Sequence, residues 1–239
     1  MYFEVVLKKL QEAFAQQIEL KQASTWIADS LCKSGWIYTS GTGHSHLLAE
    51  EIFYRAGGFA RVIPILDPDL MLHVDATGST ELERTEGYAA KLLSSYSISD
   101  NDVFILSSNS GRNAVSIEMA QLARQKGAKV IAITNFAHSK SVDSRHSSGL
   151  KLYEIANVYL DNFGEIGDAA ISVSGLHSKM GATSTVVGAA LLHAMMIQAA
   201  EICLTRGHVP EVFNSSNSDD GEEHNEALIQ KYKAHISIL

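Results

Sequence analysis

Only two cysteines occur in this chain of 239 residues, Cys32 and Cys203, far apart and outside any Cys-x-x-Cys pattern. That spacing offers no zinc ribbon or dithiol redox motif, and free buried thiols in a reducing cytosol are the expectation. Positive charge is also short: 19 lysines and arginines against 27 acidic residues leave a formal charge of −8. A phosphate-backbone binder needs a basic face, so nucleic acid is not an expected partner. A donor-rich pocket in an acidic protein can still take a small anion. No signal-peptide pattern precedes the first amphipathic segment. The longest apolar candidate, 186–204, is interrupted by His193, Gln198 and Glu201. No membrane span is therefore expected, and the chain reads as cytoplasmic. No repeat of fixed period is present.

What is there resembles an ordinary soluble globular protein, with 46% hydrophobic residues and enough length for one large core. Residues 1–33 carry apolar positions at helical spacing, a long amphipathic helix with at most one break. A strand at 36–38, a Gly/Ser/Thr loop and a helix running to Gly57-Gly58 follow. "ARVIPIL" reads as a second strand, and 79–96 as a helix with Ser79 or Thr80 as N-cap and Glu83 in a capping box. "DVFILSS" and "KVIAITN" are short β-branched strands flanking a helix over 113–126. A weak strand "VYLDN", another at "AAISV" and a long helix over 181–206 come next. Residues 207–239 read as a polar linker, "NSSNSDDGEEHN", and a helical tail over 222–234 that packs on the body or on a partner chain. Strands alternating with helices predict a three-layer, doubly wound α/β domain with a mainly parallel sheet, over 1–206.

In such a sheet ligands bind beyond the carboxyl ends of the strands. Both polar loops fall there. The first, Ser40-Gly41-Thr42-Gly43-His44-Ser45, lacks the full dinucleotide fingerprint and the acidic residue that reads a ribose, and the chain has no Gly-Lys-Ser/Thr phosphate loop. The second, Ser107-Ser108-Asn109-Ser110-Gly111-Arg112-Asn113, puts hydroxyls, amides and a flexible glycine where a helix begins. Helix-opening N–H groups and the dipole suit a phosphate monoester. Serine and asparagine also cap helices and make turns, but one cap would not need this many.

The stretch "SSNSGRNAVSIEMAQLARQKGAKVIAITN" resembles the signature of the SIS (sugar isomerase) domain family, and "SGTGHSHLLAEEIFYRAGG" is similar to that family's first loop and helix. The resemblance implies that Ser108, Ser110 and Asn113, with Asn109 between them, hold the phosphate. Ser45 joins them from the first loop, and Gly41, Thr42, Gly43 and His44 contact the rest of the ligand. Asn113 departs from the family's serine or threonine there. The resemblance further implies a sugar phosphate as ligand, a homodimer or homotetramer, and no cofactor.

Moving a proton between adjacent carbons needs an acid–base group near the loops. Among family members, phosphoheptose isomerase has a metal-binding histidine where Glu51 falls, a catalytic glutamate where Arg55 falls and an active-site histidine where His193 falls. N-acetylmuramic acid 6-phosphate etherase has a catalytic glutamate where Glu86 falls. Glu51, Glu86 and His193 are accordingly the catalytic candidates, each with a plainer alternative: a solvated helix face for the glutamates, a core hydrogen bond for the histidine. Thr183, Ser184 and Thr185 serve equally as helix caps or ligand contacts. His44, His46, His138, His146 and His177 lack a metal-ligand spacing, so no metal is expected. An isomerase leads; an etherase-like lyase and a non-catalytic sugar-phosphate sensor stay open.

Overall fold

Alternation along the strands builds both faces of the molecule at once. In the computed structural model, which describes residues 1–217 and 221–239, five parallel strands form the central sheet: β1 (Ile37–Gly41), β2 (Val62–Ile65), β3 (Val103–Ser107), β4 (Lys129–Thr134) and β5 (Val158–Asp161), in the order β2-β1-β3-β4-β5. Ile37, Val103, Ile105, Ile131 and Ile133 face one way and Tyr38, Phe104, Leu106, Val130 and Ala132 the other, as the two-residue period requires. Both sets are buried, which is why these strands read as continuous apolar runs.

On the first face lie α1 (Tyr2–Phe14), α2 (Gln17–Cys32) and α3 (His46–Glu51). The second face is covered by α5 (Tyr88–Leu93), α6 (Ala114–Gln125) and α8 (Leu152–Ile155), with α4 (Ala76–Leu82) and α7 (Phe136–Ser141) at its rim. A small antiparallel hairpin, β6 (Ala169–Ile171) and β7 (Met180–Ala182), leads into α9 (Ser184–Thr205), which packs on α2 over the first face. The three-layer doubly wound architecture is therefore as the strand–helix alternation predicts. By length and composition α9 does qualify as a membrane span, against the expectation that no run is long enough. Its Val187, Leu191, Leu192, Met195, Ala199 and Cys203 are buried in the sheet-facing core, the environment of an interior helix.

Several local readings change. The break in the first amphipathic stretch falls at Ala15-Gln16, and Gln16 bonds across to the carbonyl of Asp161 at 2.8 Å. The helix expected over 79–96 is two: α4 ends at Leu82, and α5 starts after Gly87, whose left-handed φ of 85° no helix can run through. Its cap is Asp75, which accepts from the amides of Thr77 and Gly78, not Ser79 or Thr80. α3 stops at Glu51, short of Gly57, and Gly181 belongs to β7 rather than to the long helix.

The tail folds back onto the body. In α10 (Gly221–Tyr232), Leu228 and Tyr232 join Phe213 and Ile236 in the second-face core. The Arg61 guanidinium lies 4.3 Å from the Trp36 ring centroid and 5.3 Å from that of Tyr232, a cation–π clamp between tail and sheet edge. Of the polar linker, residues 218–220 lie outside the described residues.

Candidate active site

The chain runs outward from β1 to β2 and then returns to β3, so the strand order reverses between β1 and β3, where a ligand crevice forms. Gly41 and Ser107 are register partners at the carboxyl end of that pair, which brings the two polar loops side by side. At Gly41 a Cβ would stand 2.5 Å from the Ser45 carbonyl oxygen, so only glycine lets the first loop turn back this tightly. A 3₁₀ turn over Gly43–Ser45 then feeds α3.

In the second loop Ser108 Oγ accepts from the Gly111 amide at 3.2 Å. Asn109 is held at both ends: its carbonyl accepts from the Asn135 amide at 3.0 Å, and its Oδ1 accepts from Asn162 Nδ2 at 2.9 Å. Asn113 occupies the N-cap position of α6 without capping it; its Oδ1 accepts from Arg145 Nη1 at 3.1 Å. Ser45, Ser107, Ser108 and Asn109 line one recess together with Asn162, Ser184 and Thr185. Ser110 and Asn113 are not in that lining, and Ser110 makes no hydrogen bond among the described residues. Thr42 is buried and donates to Glu83 Oε2 at 2.5 Å, while His44 is exposed.

A second recess, about 350 Å³, adjoins the first through Leu48 and Thr185 and is walled by Glu50, Glu51 and Ala189. Here α3 and α9 bring Glu51 Oε1 and His193 Nε2 to 2.9 Å, with Arg55 Nη1 3.1 Å from the same oxygen. Both members of the pair are partly exposed, 29% and 42%, so each can be reached by a ligand. Glu86 is elsewhere, on the α6 side of the sheet. Its oxygens accept from the Ser147 amide at 2.6 Å and hydroxyl at 2.8 Å, bonds that hold its carboxyl below the usual range. The three catalytic candidates thus divide into a pair and an outlier.

Four cations stand near the second loop, with the carboxylates of Glu83, Glu86 and Glu118 among them. Among the described residues Arg84, Arg112, Arg145 and Lys151 form no ion pair with a carboxylate. Lys151 is buried, its ammonium donating only to the carbonyls of Ser139, at 2.5 Å, and Val142. Burial, then Arg112 and Arg84, pull the Arg145 guanidinium below its ordinary value. Burial likewise lowers the His138 imidazole, with the nearby Asp168 opposing it. Arg112 Nε, His138 Nδ1 and Ser139 Oγ are buried without a partner, where an unpaired buried polar group costs about 1–3 kcal/mol. An anion at the loop can take up such N–H and O–H donors.

Residue types and local spacing conceal part of this. Glu83 reads as a capping-box residue, yet its carboxylate goes to Thr42, 41 positions away, and its carbonyl to the Val115 amide of α6 at 3.1 Å. Arg145 meets Asn113 across 32 positions. None of Thr183, Ser184 and Thr185 caps α9 with its side chain: Asp168 does so, accepting from the Thr183 and Ser184 amides, while Ser184 and Thr185 line the recess.

Comparison with known proteins shows the family and the fold. Residues 1–135 match the family model described as the SIS domain. The chain is 41% identical to a UPF0309 protein of Shouchella clausii, covering 100% of this chain and 98% of that one. It is 40% identical to a UPF0309 protein of Geobacillus thermodenitrificans, covering 100% and 96%. The fold is similar to a phosphoheptose isomerase from Francisella tularensis, with a TM-score of 0.56 at 16% identity over 84% of this chain and 95% of that one. Phosphoheptose isomerase from Neisseria gonorrhoeae gives 0.51 at 19% identity over 83% and 95%.

Proposed function

Because the chain belongs to the SIS domain family, we propose that it binds a phosphorylated sugar between its two polar loops and interconverts the aldose and ketose forms. The observation that carries this reading is a recess walled by hydroxyls and amides adjoining one lined by Glu51, whose carboxylate meets His193. The phosphate sits in the first, against Ser45, Ser108 and Asn109, drawn by the start of α6 and the unpaired cations behind it. The sugar then extends past Leu48 and Thr185 to the pair. One member takes the proton from the carbon beside the carbonyl while the other protonates the carbonyl oxygen, giving an enediol; the proton returns to the neighbouring carbon.

Aldose and ketose phosphates of four to seven carbons, incubated in D₂O and followed by proton NMR, are expected to yield one interconverted pair with deuterium entering at C2. Unphosphorylated sugars are expected to be inert. Tight binding without conversion would instead make the protein a sensor. Lactate release from an N-acetylmuramate phosphate would make it a lyase, a reading weakened by the engagement of Glu86 with Ser147.

We also propose that the chain works as a homodimer or homotetramer. Phe3 and Leu7 of α1 and Val186, Ile197 and Leu204 of α9 are exposed, and a run of apolar side chains on two adjacent helices marks an association surface. Light scattering at micromolar concentration is expected to give at least twice the mass of the 25.9 kDa chain; a monomer would refute this part.

A further inference from the structure

Glu86 makes better sense as a metal ligand than as a catalyst. Its carboxylate, that of Glu118 on α6 and the imidazole of His146 bring one ligand atom each to within 4.8 Å of one another. We propose that these three side chains bind a divalent zinc-type cation, at a site separate from the sugar-phosphate recess and independent of that assignment.

Two carboxylates meet here, and among the described residues no lysine or arginine pairs with either. Glu118 Oε1 accepts from the Gly87 amide at 2.7 Å, but Oε2 is buried with no partner at all. The His146 side chain is 10% exposed. Its Nδ1 lies 2.7 Å from Ser148 Oγ, while Nε2 makes no hydrogen bond and faces Glu118 Oε1 at 3.7 Å. A buried carboxylate oxygen without a hydrogen bond, Glu118 Oε2, set beside a second carboxylate and an imidazole with no lysine or arginine paired to either, calls for a cation there.

The donor set selects the ion. Imidazole with carboxylates suits zinc, at about 2.0–2.2 Å from each ligand atom, with a fourth position open to water. Magnesium demands an octahedral shell of oxygens and is disfavoured by the imidazole. Bound zinc ligands stand roughly 3.3–3.5 Å apart in a tetrahedron, so the His146–Glu118 contact is nearly at its bound separation. His146 Nδ1 accepts from the Ser148 amide at 3.2 Å and lies 2.7 Å from Ser148 Oγ. Metal binding at Nε2 moves the ring proton to Nδ1, which then donates to Ser148 Oγ instead, and Ser147 fixes both oxygens of Glu86.

Occupancy would tie three segments together behind the sugar site. Glu83 and Arg145, which reach Thr42 and Asn113 in the two polar loops, lie three residues before Glu86 and one before His146. The cation would therefore hold both side chains in position on the loops from the far side.

Purified protein stripped with EDTA and exchanged into chelator-free buffer tests this by calorimetric titration with zinc sulfate, alongside thermal melting. One zinc per chain and a rise in Tm are expected. Glu86→Gln, Glu118→Gln and His146→Gln should each weaken binding by about 100-fold or more, and Ser147→Ala by about tenfold. His193→Gln should leave the affinity unchanged, since Glu51 and His193 are the competing ligand pair. Glu86 is exposed, so its variant folds whatever happens to the partly buried two; circular dichroism without zinc confirms that for each. No zinc binding by the wild type, binding that survives the first three substitutions, or binding lost in His193→Gln would each overturn the proposal.

Discussion

Replacing Glu51 with Gln, or His193 with Gln, is expected to lower turnover of the cognate sugar phosphate by about 10²–10⁴-fold while leaving its binding nearly intact. The pair is set 2.9 Å apart by two helices packed on the same face of the sheet. Its Glu51 lines the recess next to the hydroxyl-lined one rather than that one itself. Either amide keeps the size and hydrogen bonding of the original but cannot carry the proton between carbons. The effect should therefore appear in kcat and spare the dissociation constant measured by calorimetry. Because both side chains are partly exposed, their ion pair contributes at most about 1 kcal/mol to folding, and a lost activity cannot be blamed on a lost fold. If either variant keeps turnover within threefold of wild type, the pair is not the acid–base machinery.

Phe104→Ala is expected to cost about 3–5 kcal/mol, a large share of the 5–15 kcal/mol typical of a domain. Phe104 has no exposed surface, sits in the central strand β3 and lies against Tyr38 with ring centroids 6.1 Å apart and planes 15° from parallel. Nothing around it is free to collapse into the space, since the strands on either side are buried on both faces and carry helices. Urea unfolding should show a lower midpoint with an unchanged slope. A loss below 1 kcal/mol would mean that the second-face core is not packed as described. The consequence also reaches the site, because β3 ends at Ser107, three residues on, and places Ser108 and Asn109.

Where chemistry is local in the chain, it was legible before the structure. The parallel strands announce themselves as β-branched runs, and Ser108 and Asn109 stand at a strand end because the loop between strand and helix is short. The Glu51–His193 pair was legible only as two separate guesses, since 142 positions divide them. Glu83 shows the limit most clearly. A glutamate three or four residues after a serine or threonine satisfies a capping box on spacing alone, and only the return of the chain from β2 shows that Thr42 is nearer. Gly87 likewise falls inside one helical pattern, because a single glycine in an amphipathic stretch is tolerated and its left-handed conformation leaves no mark in the periodicity. The cluster of Glu86, Glu118 and His146 has no motif spacing either; two loops and a helix assemble it.

The central claim is that the phosphate of a sugar rests against Ser45, Ser108 and Asn109. A ³¹P NMR titration of the protein with a panel of sugar phosphates, repeated with Ser108→Ala, tests it most directly. A shifted and broadened phosphate resonance is expected for the wild type, with affinity falling about tenfold or more in the variant, as for loss of one hydrogen bond to a charged group. An unperturbed resonance across the panel, or a shift that Ser108→Ala leaves unchanged, would contradict it.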